Sequence, residues 1–161
     1  MKHSLIKTKA PALVLAVLMA MLLLTGCTKT PSTTENFKQI AQEKGYLMED
    51  AISQFAAYSD IIKEATVVAP KSISFKIEFY VLSDETQAKS FYANNLATLE
   101  ANIGSVYSGS SLSGKNYASR SITSDGKYMF IERVENTVLY VSPTDSGNKS
   151  EIEAFIKSMG Y

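Results

Sequence analysis

Alternation of hydrophobic and polar residues is strongest between residues 73 and 82. Every second position there is apolar: Ile73, Phe75, Ile77, Phe79 and Val81. Successive side chains of a β-strand point to opposite faces of a sheet, so this pattern predicts a strand over 73–82 with one face in the core. A second strand, rich in β-branched residues, is predicted over 61–69, just before Pro70.

From Asp84 onward the apolar period changes from two to about 3.6 residues. Asp84 and Gln87 have the spacing of a helix-capping box, and Gly104 is expected to end the helix. The apolar positions along one side are Ala88, Tyr92, Leu96, Leu99 and Ile103. The pattern predicts the main helix of the chain.

Two shorter helices are predicted near the ends of the chain. The first begins at Ser32, with Glu35 completing a capping box, or with Thr34 as the cap, and it ends at Gly45. Between Tyr46 and Ala57 we expect a short strand and then a helical turn from Asp50.

The last helix is predicted to start with Asn148 and Glu151 as its capping box. Its apolar positions follow helical spacing: Ile152, Phe155, Ile156 and Met159. Both terminal helices are followed by Gly-Tyr, at 45–46 and 160–161, and we interpret this as shared C-cap chemistry rather than an internal repeat.

Three or four short strands are predicted after the main helix, over 106–112, 117–123, 127–134 and 137–141. Asp125-Gly126 lies between two of them and favours a tight hairpin, since glycine tolerates positive φ. The clustered strands predict an α+β fold, a mostly antiparallel sheet with helices packed on one face, in the order α-β-β-α-β-β-β-α.

Length and charge limit the kind of protein this is. A chain of 161 residues is enough for one compact domain and a targeting segment. Lys2, Lys7 and Lys9 are three of the 16 basic residues, and all 16 acidic residues follow Gly26, so the remaining chain carries a net charge of −3. A mildly acidic domain is not expected to bind nucleic acid.

The first 26 residues have the order of a secretory signal peptide. A basic region over 1–10 precedes an uncharged apolar run over 11–24, which is too short for a permanent membrane span of roughly 20 residues. The next residues are Leu24-Thr25-Gly26-Cys27, and this box resembles that of bacterial lipoproteins.

The resemblance implies the processing of that family. The thiol of Cys27 would be alkylated with diacylglycerol, and cleavage between Gly26 and Cys27 would make Cys27 the first residue of the mature chain. The expected organisation is a signal peptide over 1–26, the lipidated cysteine and a flexible tether over 27–34, and one α+β domain over 35–161. The expected location is the outer face of the cell membrane; the sequence does not distinguish the envelope type.

The domain itself is similar to small uncharacterised lipoproteins of Gram-positive bacteria. The likeness covers one helix and its Gly-Tyr end, one strand and one hairpin. The matching residues are Phe37, Ala41, Gly45, Tyr46, Ile77, Phe79, Tyr80, Gly126, Lys127, Tyr128 and Met129. Most are structural positions, so the likeness implies no activity.

Several kinds of catalysis lack their residues. His3 is the only histidine and lies in the leader, and Cys27 is the only cysteine, so a histidine-assisted serine hydrolase, a cysteine nucleophile and the usual zinc, copper or haem sites are excluded. Ser124-x-x-Lys127 and Ser146-x-x-Lys149 have the Ser-x-x-Lys spacing, but both are interpreted as turns or loops. No cofactor is expected.

Paired carboxylates and tyrosines are the remaining candidates. Glu49-Asp50 and Asp84-Glu85 could bind a hard cation or transfer protons, although Asp84-Glu85 is explained by its place at a helix start. The chain has nine tyrosines and no tryptophan. Five lie on or near predicted strands and could line an exposed face that binds a ligand: Tyr80, Tyr107, Tyr117, Tyr128 and Tyr140.

These observations favour a lipid-tethered, non-catalytic domain that binds an envelope protein or a peptidoglycan or other glycan ligand. One alternative is a carboxylate-based or metal-dependent envelope enzyme. Another is an accessory solute-binding lipoprotein, although such proteins usually have two lobes.

Overall fold

The computed structural model describes residues 27–161, so the predicted signal peptide over 1–26 lies outside the described residues. Seven strands form one sheet in the order β1-β2-β3-β7-β6-β5-β4. All neighbouring strands are antiparallel. The strands are β1 (Leu47–Asp50), β2 (Ile62–Ala69), β3 (Ile77–Leu82), β4 (Tyr107–Ser113), β5 (Tyr117–Ser124), β6 (Lys127–Val134) and β7 (Thr137–Asp145).

Over residues 27–161, three α-helices accompany this sheet: α1 (Thr34–Glu43), α2 (Glu85–Glu100) and α3 (Lys149–Ser158). Short 3₁₀ segments cover Ile52–Tyr58 and Ser146–Asn148. The predicted α+β class and the order of helices and strands are confirmed. Within residues 27–161, every helix is too short or too polar to cross a bilayer.

The helices cover both faces of the sheet, so the expectation that they pack on one face was wrong. Phe37 of α1 and Phe155 of α3 pack against Phe79 and Leu139 in one core cluster. Leu99 of α2 packs in a second cluster, formed on the other face. The molecule therefore has three layers, with the sheet in the middle.

The central strands explain this arrangement because they are apolar on both faces. In β6, Tyr128 and Phe130 enter the first cluster, while Met129 and Ile131 enter the second. One layer of helices could not remove both sets from water. The sequence pattern over 73–82 shows one apolar face clearly. It gives a weaker signal for the other face, where Tyr80 is buried in the second cluster.

Two helix ends match the prediction closely. Gly45 and Gly160 have φ of 67° and 83°, a left-handed conformation that glycine adopts without strain. The amide of Tyr46 donates to the carbonyl of Ala41, and the amide of Tyr161 donates to that of Ile156. Both ends are Schellman motifs, which supports C-cap chemistry as the reason for the repeated Gly-Tyr.

The predicted starts of the two terminal helices need correction. Thr33 caps α1, since its hydroxyl accepts from the backbone amide of Asn36. Ser32 accepts only from the side-chain amide of Asn36, and Thr34 is the first residue of the helix. Asn148 has helical backbone angles, and its side chain does not cap the helix. The side-chain nitrogen of Asn148 instead donates to the carbonyl of Ser74. At α2, Asp84 accepts from the amide of Gln87, as predicted.

The most regular stretch of the sequence also begins differently from the prediction. β3 starts at Ile77, because the amide of Ile73 closes a turn on the carbonyl of Pro70 and Ile73 adopts a φ of 53°. The predicted hairpin at Asp125-Gly126 is present, with positive φ at both residues. Strands β4 to β7 form a meander, and β4 and β1 are the two sheet edges.

Truncation on either face of the sheet should be costly. We expect Leu139→Ala, in the first cluster, and Ile131→Ala, in the second, each to lower the free energy of unfolding by about 2–5 kcal/mol. Leu112→Ala on the exposed edge strand β4 serves as the control and should change it by less than about 0.5 kcal/mol. Urea unfolding of the purified protein from residue 28 measures all three, and a neutral effect at Ile131 would contradict the three-layer arrangement.

Candidate functional site

A groove lies on the sheet face that carries α1 and α3. Its floor is formed by β4, β5 and β6, and its wall is α3, with a cavity volume of about 190 Å³. Ligand sites for drug-sized molecules have roughly 300–1,000 Å³, so the groove fits one sugar ring or a few side chains of a larger ligand. We call this feature the groove.

The floor of the groove is rich in hydroxyl groups because alternate residues of paired strands share one face. Ser121 lies beside Phe130, and Ser119 lies beside Glu132, across the β5–β6 ladder. The hydroxyls of Ser110 and Ser121 are hydrogen-bonded at 2.9 Å. These groups can donate to and accept from a polar ligand.

Glu132 is the most unusual group in the groove. Its side chain is only 2% exposed, and its Oε1 lies 2.5 Å from Nζ of Lys29. The same ammonium lies 5.1 Å from the centre of the Tyr117 ring, a cation–π distance. A buried carboxylate and an aromatic ring therefore hold a cation that comes from the segment before α1.

Asn116 holds the backbone of the same lysine. Its side-chain oxygen accepts from the amide of Lys29 at 3.0 Å, and its side-chain nitrogen donates to the carbonyl of Lys29 at 2.8 Å. We call Lys29, Asn116 and Glu132 the clasp. Residues 27–34 were expected to form a flexible tether, but in the structure the clasp fastens this segment to the β4–β5 turn and to β6.

Burial decides the protonation behaviour of the clasp. It raises the pKa of the Glu132 carboxyl above its usual range, although the hydrogen bond and charge of Lys29 act in the opposite direction. A carboxyl with a raised pKa in a groove is the kind of group that binds cations or transfers protons. Here the nearest cation belongs to the chain itself.

The α3 wall contributes charged side chains on the groove rim. The hydroxyl of Tyr128 donates to Glu153 at 3.5 Å, and Nζ of Lys149 lies 5.6 Å from the centre of the Tyr128 ring. Burial is the largest cause of the raised pKa of Tyr128, followed by the charge of Glu153. Tyr128 therefore stays protonated and serves as a hydrogen-bond donor.

The five tyrosines singled out from the sequence do not form one exposed face. Tyr117 and Tyr128 lie on the groove face, whereas Tyr80, Tyr107 and Tyr140 lie on the opposite face. Tyr80 and Tyr128 are buried in the two core clusters, and Tyr107 is 56% exposed at the sheet edge. Only Tyr117 and Tyr128 come near the groove.

The paired carboxylates predicted from the sequence do not form a common site. Glu49 and Asp50 are neighbours on β1, so they point to opposite faces; Glu49 accepts from Gln54 and Asp50 from the amide of Ile52. Glu85 pairs with Lys89 and Arg133 at the start of α2. Among residues 27–161, acidic and cysteine side chains form no group of three that could hold a metal ion.

The Ser-x-x-Lys candidates have structural roles. Ser124 is buried, accepts from the amide of Gly104 at 2.9 Å and pairs with Lys127 across the Asp125-Gly126 turn. Lys127 is exposed there, so nothing desolvates its ammonium. Ser146 begins the short 3₁₀ segment before α3.

Sequence reasoning missed the clasp. Glu132 and Arg133 lie in the buried part of β6, beyond its exposed first residue Lys127, and charged residues in a buried strand are rare unless they are paired. That signal could have identified Glu132 as a candidate. It could not have named Lys29, which is 103 positions away along the chain.

Comparisons with protein-family models, with curated proteins and with solved structures find no match to this chain.

Removing the Lys29 cation alone should destabilise the protein more than removing it together with the Glu132 charge. Lys29→Met leaves the buried Glu132 carboxylate without its cation, and we expect a loss of about 1–3 kcal/mol in the free energy of unfolding near neutral pH. Adding Glu132→Gln should recover part of this loss. The control is Lys149→Met, which breaks an exposed pair at 3.8 Å and should cost less than about 0.5 kcal/mol.

Stability should also depend on pH through Glu132. The folded state keeps the Glu132 proton to higher pH than the unfolded chain, so this group favours folding most at low pH and less as the pH rises through its folded pKa. We expect the free energy of unfolding of the wild type, relative to that of Glu132→Gln, to fall as the pH rises above the ordinary range of a glutamate, about pH 4. Urea unfolding across this range measures it, and parallel pH curves would contradict the raised pKa.

Proposed function

We propose that the chain is a lipid-anchored, extracytoplasmic binding domain that engages an envelope ligand through the groove. The leader and the Leu24-Thr25-Gly26-Cys27 box support the anchor. Cys27 is exposed and precedes the folded domain, which is compatible with a thioether-linked lipid. The single observation that carries the binding role is the groove, with its row of serine hydroxyls and its buried carboxylate.

Size and position restrict the ligand. The groove is open at the edge strand β4, whose seven residues are all exposed. An extended molecule, such as a glycan strand or a peptide segment of another envelope protein, can therefore place one unit in the groove while the rest continues past β4. Serine hydroxyls, Glu153 and Lys157 supply hydrogen bonds, and Leu112 and Ile156 supply apolar contact.

A second candidate function has one observation in its favour. A buried carboxyl with a raised pKa could serve as the general acid of a carboxylate-based hydrolase, and Glu132 is such a group. The salt bridge from Lys29 counts against this role, because it satisfies the carboxylate that would have to hold the proton. The accessory solute-binding alternative has less support, since the described residues form one sheet with no second lobe.

The anchor is tested by Cys27→Ala. We expect the wild type to incorporate labelled fatty acid and to lose residues 1–26. The variant has no thiol to alkylate, so it should lose the label and, because cleavage follows alkylation in lipoprotein processing, keep its full length. Two acyl chains, at about 0.8 kcal/mol per buried methylene, are enough to hold a protein stably on a bilayer, so the labelled wild type should also sediment with membranes. Unchanged labelling and sedimentation of the variant would contradict lipidation at Cys27.

The groove is tested by site-specific photo-crosslinking in intact cells. Ser110 faces the groove, and its neighbour Ser111 on the same edge strand points to the other face, so the two positions form a matched pair. A benzophenone amino acid at Ser110 should give adducts that the same group at Ser111 does not give. Protease-sensitive adducts would identify a protein, and adducts shortened by a peptidoglycan hydrolase would identify a glycan.

Two results would oppose the binding role. Equal amounts of adduct at positions 110 and 111 would show that the crosslinked molecule contacts β4 without a preference for the groove face. Substrate turnover by the purified domain, lost in Glu132→Gln and retained in Ser110 variants, would favour the enzymatic alternative.

A further inference from the structure

The described chain begins against the β4–β5 turn. The amide of Lys115 donates to the carbonyl of Cys27 at 3.3 Å. Gly114 permits this approach, since a Cβ at that position would collide with the carbonyl oxygen of Cys27 and with the Tyr117 ring. The residue that carries the lipid in the proposed function therefore touches the turn formed by residues 114–116.

The clasp stabilises the contact between Cys27 and the β4–β5 turn. Two hydrogen bonds join Lys29 to Asn116, and the Lys29 ammonium pairs with the buried Glu132. Asn116 is itself held, because its carbonyl accepts from Nη1 of Arg133 at 3.1 Å and from the amide of Glu135 at 2.8 Å. The anchor segment is thus fastened to a rigid part of the sheet.

Chain length then limits the distance between the domain and the bilayer. Only Thr28 separates Cys27 from Lys29, and two residues span at most about 7 Å. A lipid on the Cys27 thiol places that atom at the boundary between headgroups and acyl chains. The β4–β5 turn must then lie within the headgroup layer as long as the clasp is closed.

We propose that the β4–β5 turn is a membrane-docking surface that holds the domain directly on phospholipid headgroups in one orientation. This inference rests on the proposed lipid attachment at Cys27. Its partner is the bilayer surface itself, reached through the anchor, and the docked domain does not stand off on a free tether.

The side chains at this end suit that partner. Lys115 is exposed and can contact lipid phosphates, and Leu112, 58% exposed, can reach the apolar boundary. The neighbouring acidic group, Glu135, is exposed and uses one carboxylate oxygen to accept a hydrogen bond from Asn116 at 3.0 Å. Docking also places the Leu112 end of the groove toward the membrane.

The opposite end of the same hairpin provides an internal reference. β5 runs from the 114–116 turn to the Asp125-Gly126 turn through eight residues, which corresponds to about 26 Å. Lys127 is exposed at that far end, as Lys115 is at the near end. The two lysines form a matched pair for measuring which end meets the bilayer.

The experiment uses the full lipidated protein reconstituted in vesicles of phosphatidylcholine and phosphatidylglycerol. Cys27 is the only cysteine and its thiol is occupied by lipid, so Lys115→Cys and Lys127→Cys can each be labelled with a fluorophore. Quenching by a lipid that carries a nitroxide on its headgroup should be several-fold stronger at 115 than at 127. Asn116→Ala, which removes two clasp hydrogen bonds, should lower the quenching at 115 toward that at 127.

Each outcome bears on the proposal. Stronger quenching at 115 supports docking, and its loss in Asn116→Ala, with cooperative unfolding retained, assigns the orientation to the clasp. Equal quenching at both positions, in protein that floats with the vesicles and carries the lipid mass, overturns docking and leaves the anchor intact. Protein that lacks the lipid mass and does not float overturns both.

Discussion

The central strands of this protein must be covered on both faces, and the rest of the architecture depends on that constraint. β3, β7 and β6 carry apolar side chains in both directions, and β6 is buried along all but its first residue. Apolar area contributes about 25 cal/mol per Å² when it is removed from water, so leaving either face open would forfeit much of the stability of a domain this small. Helices α1 and α3 cover one face and α2 covers the other.

The same arrangement explains why a groove exists. Ten residues of α3 cover the centre of one face but leave the outer strands β5 and β4 open on that side. The floor accordingly changes from phenylalanine and tyrosine under the helix to serine hydroxyls toward the edge. Glu132 stands at this transition, where a carboxylate is buried by the helix layer and yet is reached by a cation from the N-terminal segment.

The clasp connects the two parts of the proposed function. Lys29 belongs to the segment that would carry the lipid, and its ammonium pairs with Glu132, which lines the groove. A lipid anchor alone gives a protein its location but leaves its orientation free. Three contacts to Asn116 and Glu132 hold the segment on the domain, so in the proposed anchored protein the fold itself would set the position of the groove above the membrane.

Local chemistry in the sequence determined much of this protein. The glycines that end α1 and α3, the Asp84 cap and the Asp125-Gly126 turn depend on residues close together along the chain, and the structure has each of them. The α+β class follows from the spacing of apolar residues, which is two in the predicted strands and about 3.6 in the predicted helices. The caps at Ser32 and Asn148 were misplaced because each helical segment begins at another residue: Thr33 accepts from the backbone amide of Asn36, and Asp145 accepts from that of Gly147 at the start of the 3₁₀ segment before α3. The use of both sheet faces, the separation of the tyrosines and the pairing of Lys29 with Glu132 were decided only by tertiary structure, because each depends on which distant strands and helices come to share one face.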